Sequence, residues 1–278
     1  MEVITSLNND RIKLVTKLAK SAKERRYSGK YIVEGQRMVE EIPDYRLHSL
    51  FFTQRFYNHT VKNNARLERL INRAMDEDKC FLVSEQVMIK MAETETPQGI
   101  LAIVEMEEYE LEDLFGDGKE NPLILILERL QDPGNMGTII RAAEGAGVTG
   151  ILISYDSVDV YSPKVVRSTM GSIFRKKLMV TYDLIGDINK IKEAGVEIYG
   201  MHLEGTSMYE ADLTKPVAFL IGNEGAGLSG ALSKTSSRLI KIPMKGSVES
   251  LNAAISASLV SYEALRQRES YVDINSIF

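Results

Sequence analysis

The 278-residue chain has one cysteine, three histidines and seven prolines. A lone Cys80 excludes an internal disulfide framework and fits a reducing compartment. No apolar run approaches the roughly 18 residues that cross a bilayer; the densest, LILIL at 123–127, has the length of a strand. The opening MEVITSLNND lacks a basic stretch followed by an apolar core, so no secretory leader is expected and the protein is expected in the cytoplasm. His48, His59, His202 and Cys80 form no cluster with metal-ligand spacing, so no metal is expected either.

What is present is ordinary for a soluble globular protein, with 44% hydrophobic and 26% charged residues, in a chain long enough for two domains. The net charge of −5 argues weakly against a nucleic-acid partner, but the charge is unevenly spread. From Asn8 to Arg37 nine basic residues face three acidic ones, and Lys164 to Lys177 holds five basic residues and no acidic one. Screening limits the reach of distant charge to about 8–10 Å, so a local basic patch can hold phosphate on an acidic protein. Arg11, Lys13, Lys17, Arg25, Arg26, Lys164 and Arg167 are the candidate RNA contacts; solvated helix faces account for the same runs equally well.

The acidic, glycine-punctuated stretch over 107–121 divides the chain into an N-terminal domain (1–106) and a C-terminal one (122–278), and reads as the linker between them. In the first part, helical spacing over Asn9–Ala22 and Val61–Met75 alternates with short apolar runs at 31–33, 50–53, 80–83 and 99–104, the pattern of a small α/β domain. In the second, strand-like runs at 122–127, 150–154, 178–182, 196–200, 217–222 and 239–244 are mostly separated by helical patterns at 137–146, 163–174 and 185–194. A last helix is expected over 251–268. Such alternation predicts a parallel sheet with ligands beyond its strand carboxyl ends.

Two stretches match G-x-G-x-x-G. GAGVTG (145–150) precedes a strand and reads as a helix end. GAGLSG (225–230) follows a strand, but only eight residues separate it from the next apolar run, too few for the crossover helix a dinucleotide site requires. An NAD(P)-dependent oxidoreductase is therefore disfavoured. Three polar, glycine-rich loops do follow strands: DPGNMGTIIRAAEGAG (132–147), FLIGNEGAGLS (219–229) and IPMKGSVESLNAAISASL (242–259). Helix capping explains any one of them; three at the end of one sheet point to a site.

At these loops the sequence resembles the SpoU (TrmH-type) RNA ribose 2′-O-methyltransferases of the SPOUT superfamily, with all three family motifs in order. Asn135 and Arg141 fall in the first motif, Gly222, Asn223 and Glu224 in the second, and Ser250, Leu251 and Asn252 in the third. The N-terminal SLNNDRIKLVTKLAK and GKYIVEGQRMVEE are similar to a substrate-binding domain found in one branch of the family. The resemblance implies an α/β protein whose C-terminal parallel-sheet domain carries a deep trefoil knot, preceded by a small α/β substrate-binding domain. It implies S-adenosylmethionine as cofactor, held by Gly222, Asn223, Ile242, Met244 and Leu251. It also implies a homodimer with the final helix (Ala254, Ile255, Ala257, Ser258, Val260, Ser261) in its interface, and RNA as substrate, rRNA before tRNA. Arg141, Asn135, Glu224, Ser250 and Asn252 would be the catalytic set, with Glu224 holding Arg141 in place. Arg141 stands either as general base or as phosphate clamp, the latter being easier for a guanidinium that stays protonated. A silent RNA-binding module of the same fold is the alternative, though binding alone does not require that set.

Overall fold

Apolar runs that lack alternation belong to sheets covered on both faces, and the second half of the chain is built from them. The computed structural model describes residues 3–61, 64–248 and 250–275, the last six by backbone alone. It holds two compact units, residues 1–107 with 159–174, and residues 108–158 with 175–278.

The first unit contains β1 (Val3–Ile4), α1 (Asp10–Lys20), α2 (Ala22–Ser28), β2 (Lys30–Glu34), α3 (Gln36–Glu40) and β3 (Leu47–Thr53). It continues through α4 (Gln54–Thr60), α5 (Ala65–Asp76), β4 (Cys80–Val83), α6 (Glu85–Met91) and β5 (Ile100–Glu105). Its mixed sheet has the order β1-β4-β3-β5-β2. Asn9 and Ser21 start α1 and α2 by accepting hydrogen bonds from backbone N–H groups, and Ile12, Val15 and Leu18 face the core.

Arg25, expected among the RNA contacts, lies inside this unit at 4% exposure. Its guanidinium donates to Asp159 from Nε (2.8 Å) and Nη2 (2.6 Å), and to the Leu18 and Ala19 carbonyls. A charge this buried is held by its partners and is unavailable to phosphate. Arg25→Ala, which strands the Asp159 carboxylate, should cost about 3 kcal/mol of stability in urea unfolding. Arg11, Lys13, Lys17 and Arg26 remain exposed, as do Lys164 and Arg167 on α8 (Pro163–Ser168) of the same unit. The second basic run is divided: Arg175 pairs with Glu144, while Lys176 and Lys177 donate to the Val148 and Asp113 carbonyls of the second unit.

The second unit contains β6 (Leu123–Leu127), α7 (Pro133–Gly145), β7 (Gly150–Ser154), β8 (Leu178–Thr181), α9 (Leu184–Glu193) and β9 (Glu197–Ser207). It ends with β10 (Val217–Ile221), α10 (Gly230–Thr235), β11 (Arg238–Lys241) and α11 (Ala253–Asn275). Its six strands are all parallel in the order β11-β9-β10-β6-β7-β8. β6 and β10 are neighbours whose onward connections leave in opposite directions, β6 to β7 and β10 past β9 to β11, so a crevice opens beyond their ends. The six-residue α10 is the short connection expected after GAGLSG.

Three expectations change. The acidic stretch is not a free linker: Leu111–Phe115 forms a 3-10 turn whose Leu111 and Leu114 are buried with Ile124, Ile126 and Leu152. Leu114 lies so close to Gly150 that a side chain there would overlap it. The helix expected over 163–174 stops at Ser168, because Met170 and Gly171 take positive φ (50° and 94°). β9 runs past its expected end with an irregularity: Leu239 pairs with Gly200 but Ile240 pairs with Thr206, leaving residues 201–205 bulged out. Among the described residues no helix is long and apolar enough to cross a membrane.

Candidate active site

The loop after β6 runs into α7 through Asp132, whose Oδ1 accepts from Asn135 N at 2.8 Å, with Pro133 in the first turn. The loop after β10 is folded by Asn223. Its Oδ1 accepts from Gly225 N and Ala226 N (3.0 Å each), and its backbone exchanges hydrogen bonds with Gly227 at 3.1 and 2.9 Å. Gly222 passes so near the Gly227–Leu228 peptide that no Cβ fits. The third loop ends at Asn252, whose Oδ1 accepts from Ala254 N (2.8 Å) and Ile255 N (3.3 Å) and so starts α11.

Glu224 joins the three loops. Its Oε1 accepts from Asp132 N (2.9 Å) and Asn135 Nδ2 (3.2 Å), and its Oε2 from Gln131 N at 3.1 Å. Asn252 Nδ2 donates to Asn135 Oδ1 at 2.9 Å, which carries the chain of bonds from the second motif through the first to the third. Asn223 Nδ2 reaches the Arg129 carbonyl at 2.8 Å. Burial pushes the Glu224 carboxyl up, but the backbone N–H groups of Asp132, Glu224 and Gln131 and the Asn135 amide outweigh it and hold the group below its ordinary 4.5.

Glu224 therefore anchors the loops rather than Arg141. Arg141 lies on the exposed side of α7, and among the described residues it makes no hydrogen bond or ion pair.

A cavity of about 380 Å³, within the range of small-molecule sites, opens beside Glu224. All five residues expected to hold a cofactor (Gly222, Asn223, Ile242, Met244, Leu251) line it, together with Glu224 and Ser250. Arg141, Asn135 and Asn252 are outside the lining. Met201, His202 and Leu203 of the β9 bulge also line it, and sequence reasoning missed them. The one signal was a strand pattern that appeared to end at Gly200.

Residues 122–262, about half the chain and all three loops, match the SpoU rRNA Methylase family. The chain belongs to that family. Residues 9–102 of this SpoU family member match the MRM3-like substrate binding domain. It is 32% identical over 263 residues, 94% of the chain and 98% of the relative, to the 23S rRNA (guanosine(2553)-2′-O)-methyltransferase RlmP of Bacillus subtilis. An AdoMet-bound rRNA methyltransferase from Sinorhizobium meliloti superposes with a TM-score of 0.81 at 29% identity, covering 95% of this chain and 97% of the other. AviRb, a SpoU methyltransferase from Streptomyces viridochromogenes in complex with AdoMet, gives 0.80 at 27% identity, covering 94% and 100%.

The depressed Glu224 pKa sets the sign of an acid effect. What the carboxylate contributes to loop order is present above the unfolded-state value and is lost as pH falls through the folded-state value, below 4.5. In this SpoU family member, cofactor affinity measured against pH should hold down to pH 4.5 and fall below it. Glu224→Gln should bind weakly throughout and show no acid limb.

Proposed function

We propose that this chain transfers the methyl group of S-adenosylmethionine to a ribose 2′-hydroxyl of RNA, with 23S rRNA as the substrate and the cytoplasm as its location. The observation that carries the reading is the Glu224–Asn135–Asn252 network, which gathers all three motifs at the rim of the cavity lined by the five expected cofactor residues. The cavity suits such a cofactor: its wall at Gly222 is bare backbone, and it mixes apolar Ile242, Met244 and Leu251 with polar Asn223 and Ser250. When bound, S-adenosylmethionine supplies a methyl group already activated by its own positive charge.

The protein must then align the hydroxyl and ease its proton away. The Asn135 and Asn252 amides, bonded to each other, orient the ribose. Arg141 acts as a cation: its fork holds an RNA phosphate and its field lowers the pKa of the 2′-hydroxyl, whose proton passes to solvent water as its oxygen takes the methyl group. The ribose 2′-hydroxyl is also what distinguishes RNA from DNA as substrate.

The working unit in this reading is a homodimer. On α11 the expected stripe divides: Ala254, Ala257, Val260 and Ser261 are buried within the subunit and Ile255 is exposed, where Leu259 and Tyr262, outside the expected stripe, join it at helical spacing. α11 packs on α7, the helix that carries Arg141. In this reading Arg141 of one copy serves the cavity of the other. The trefoil knot that the family resemblance implies belongs to the same reading.

Incubation with labelled S-adenosylmethionine and total RNA tests the reading. Incorporation that maps to a ribose 2′-oxygen of 23S rRNA, and that stops when this position is already methylated, supports it. Cofactor binding without transfer would turn the assignment to an RNA-binding module. RNA affinity carried by Arg11, Lys13, Lys17, Arg26, Lys164 and Arg167 should fall steeply with salt, log K dropping by about 0.7 per log salt for each phosphate contact on single strands. A flat response would remove these residues.

A further inference from the structure

Two tyrosines stand at the sheet edge on the other side of Glu224. Ser154 pairs with Thr181 at the ends of β7 and β8, so the next residues, Tyr155 and Tyr182, leave the sheet side by side. Their rings stack with centroids 4.0 Å apart at 28°. The stack is not buried: Tyr182 is 78% exposed and Tyr155 39%. They border a second cavity, about 390 Å³, whose lining includes Glu128, Arg129 and Asp156. Two aromatic rings held in register and partly exposed at the mouth of a cavity form a π-surface on which a further ring can stack.

The charges around it restrict what that ring can be. Glu128, Asp156 and Asp183 are acceptors set against the single cation Arg129, so phosphate is disfavoured and a neutral ring with N–H donors is favoured. Glu128 is buried, bonded to Ser229 N at 2.8 Å and 3.4 Å from Arg129 Nε. Arg129 Nε is itself buried without a hydrogen-bond partner, on a residue held at φ 49°. An exocyclic amino group of a nucleobase matches the exposed Asp156 carboxylate, and its π-face matches the tyrosines.

The position relative to the first cavity is set by Gln131. Its side chain donates to the Arg129 and Asp156 carbonyls at 3.1 and 2.8 Å, while its backbone N–H donates to Glu224. The loop bearing Tyr155 and Asp156 is thus joined through one residue to the network that gathers the three motifs.

We propose that the Tyr155–Tyr182 stack is a nucleobase platform that holds a base neighbouring the ribose to be methylated, an inference that rests on the RNA methyl transfer proposed above. Tyr182→Ala should raise KM for unmethylated 23S rRNA about tenfold, leaving kcat and S-adenosylmethionine affinity unchanged. Tyr182→Phe should keep the wild-type KM. Because the chain has no tryptophan, Tyr182→Trp creates a single tryptophan, and its emission, excited selectively over the tyrosines, should be quenched on titration with that RNA. An unchanged KM in Tyr182→Ala, or an emission indifferent to RNA, overturns the platform. The two proposals fail separately. A wild-type protein that transfers no methyl group ends the enzyme reading, while the tryptophan titration still reports whether a base stacks there.

Discussion

Gly222→Ala is expected to weaken S-adenosylmethionine binding about 100-fold or more, measured by calorimetry. The added methyl would overlap the carbonyl carbon of Gly227 and the amide nitrogen of Leu228. Both are backbone atoms, so no rotamer change relieves the contact, and overpacking of this kind costs about 3 kcal/mol, roughly two decades in affinity. The loop must open, which breaks the paired hydrogen bonds between Asn223 and Gly227 that shape the cavity wall. Gly225→Ala is the control within the same loop. Its Cβ would meet nothing nearer than the Asn223 Oδ1 at 3.7 Å, so binding should stay near wild type. Equal tolerance of both substitutions would mean that this loop does not hold the cofactor.

Arg141→Ala should lower kcat for methyl transfer about 10²–10³-fold, the usual loss when a group stabilising developing charge is removed. Cofactor affinity should stay unchanged, since Arg141 is not in the lining of the cavity, and the fold should hold, since no bond within the described residues depends on it. Arg141→Lys restores the charge but not the fork and should recover only part of the rate. A fully active Arg141→Ala would remove this residue from the mechanism. In the homodimer proposed above, mixing subunits decides whether Arg141 serves the partner's cavity or its own. If it serves the partner's cavity, hybrids of Arg141→Ala and Gly222→Ala chains regain activity that neither homodimer has. If it serves its own, the hybrids stay inactive.

Much of this architecture was legible because parallel strands covered on both faces must be continuously apolar. LILIL, GILIS and VAFLI could be little else, and all fifteen residues are buried. The polar loops were legible for a related reason, since Asp132 and Asn252 cap helices in ways that show in sequence. Features set by a distant partner were hidden. Leu111 and Leu114 lie in an acidic run, and only the three-dimensional neighbourhood of Ile124 and Leu152 makes them core. Arg25 looks like its surface neighbours until Asp159 arrives from 134 residues away. The role given to Glu224 was misdirected for the same reason. A carboxylate and a guanidinium suggested a partnership, but N–H donors of residues 131, 132 and 135 hold the carboxylate. The bulge at 201–205 escaped because pairing register leaves no trace in composition.

The assignment of residues 159–174 to the first unit has a practical meaning. The polypeptide passes from one unit to the other at three places, after residues 107, 158 and 174, instead of once. Residues 1–107 expressed alone would carry the Arg25 guanidinium without Asp159 and the Tyr31 ring without Tyr161 against it. The remainder would keep a sixteen-residue excursion with nothing to rest on. What looks along the sequence like a detachable N-terminal module is stitched to its neighbour, and a single cut, by a protease or by design, cannot release it whole.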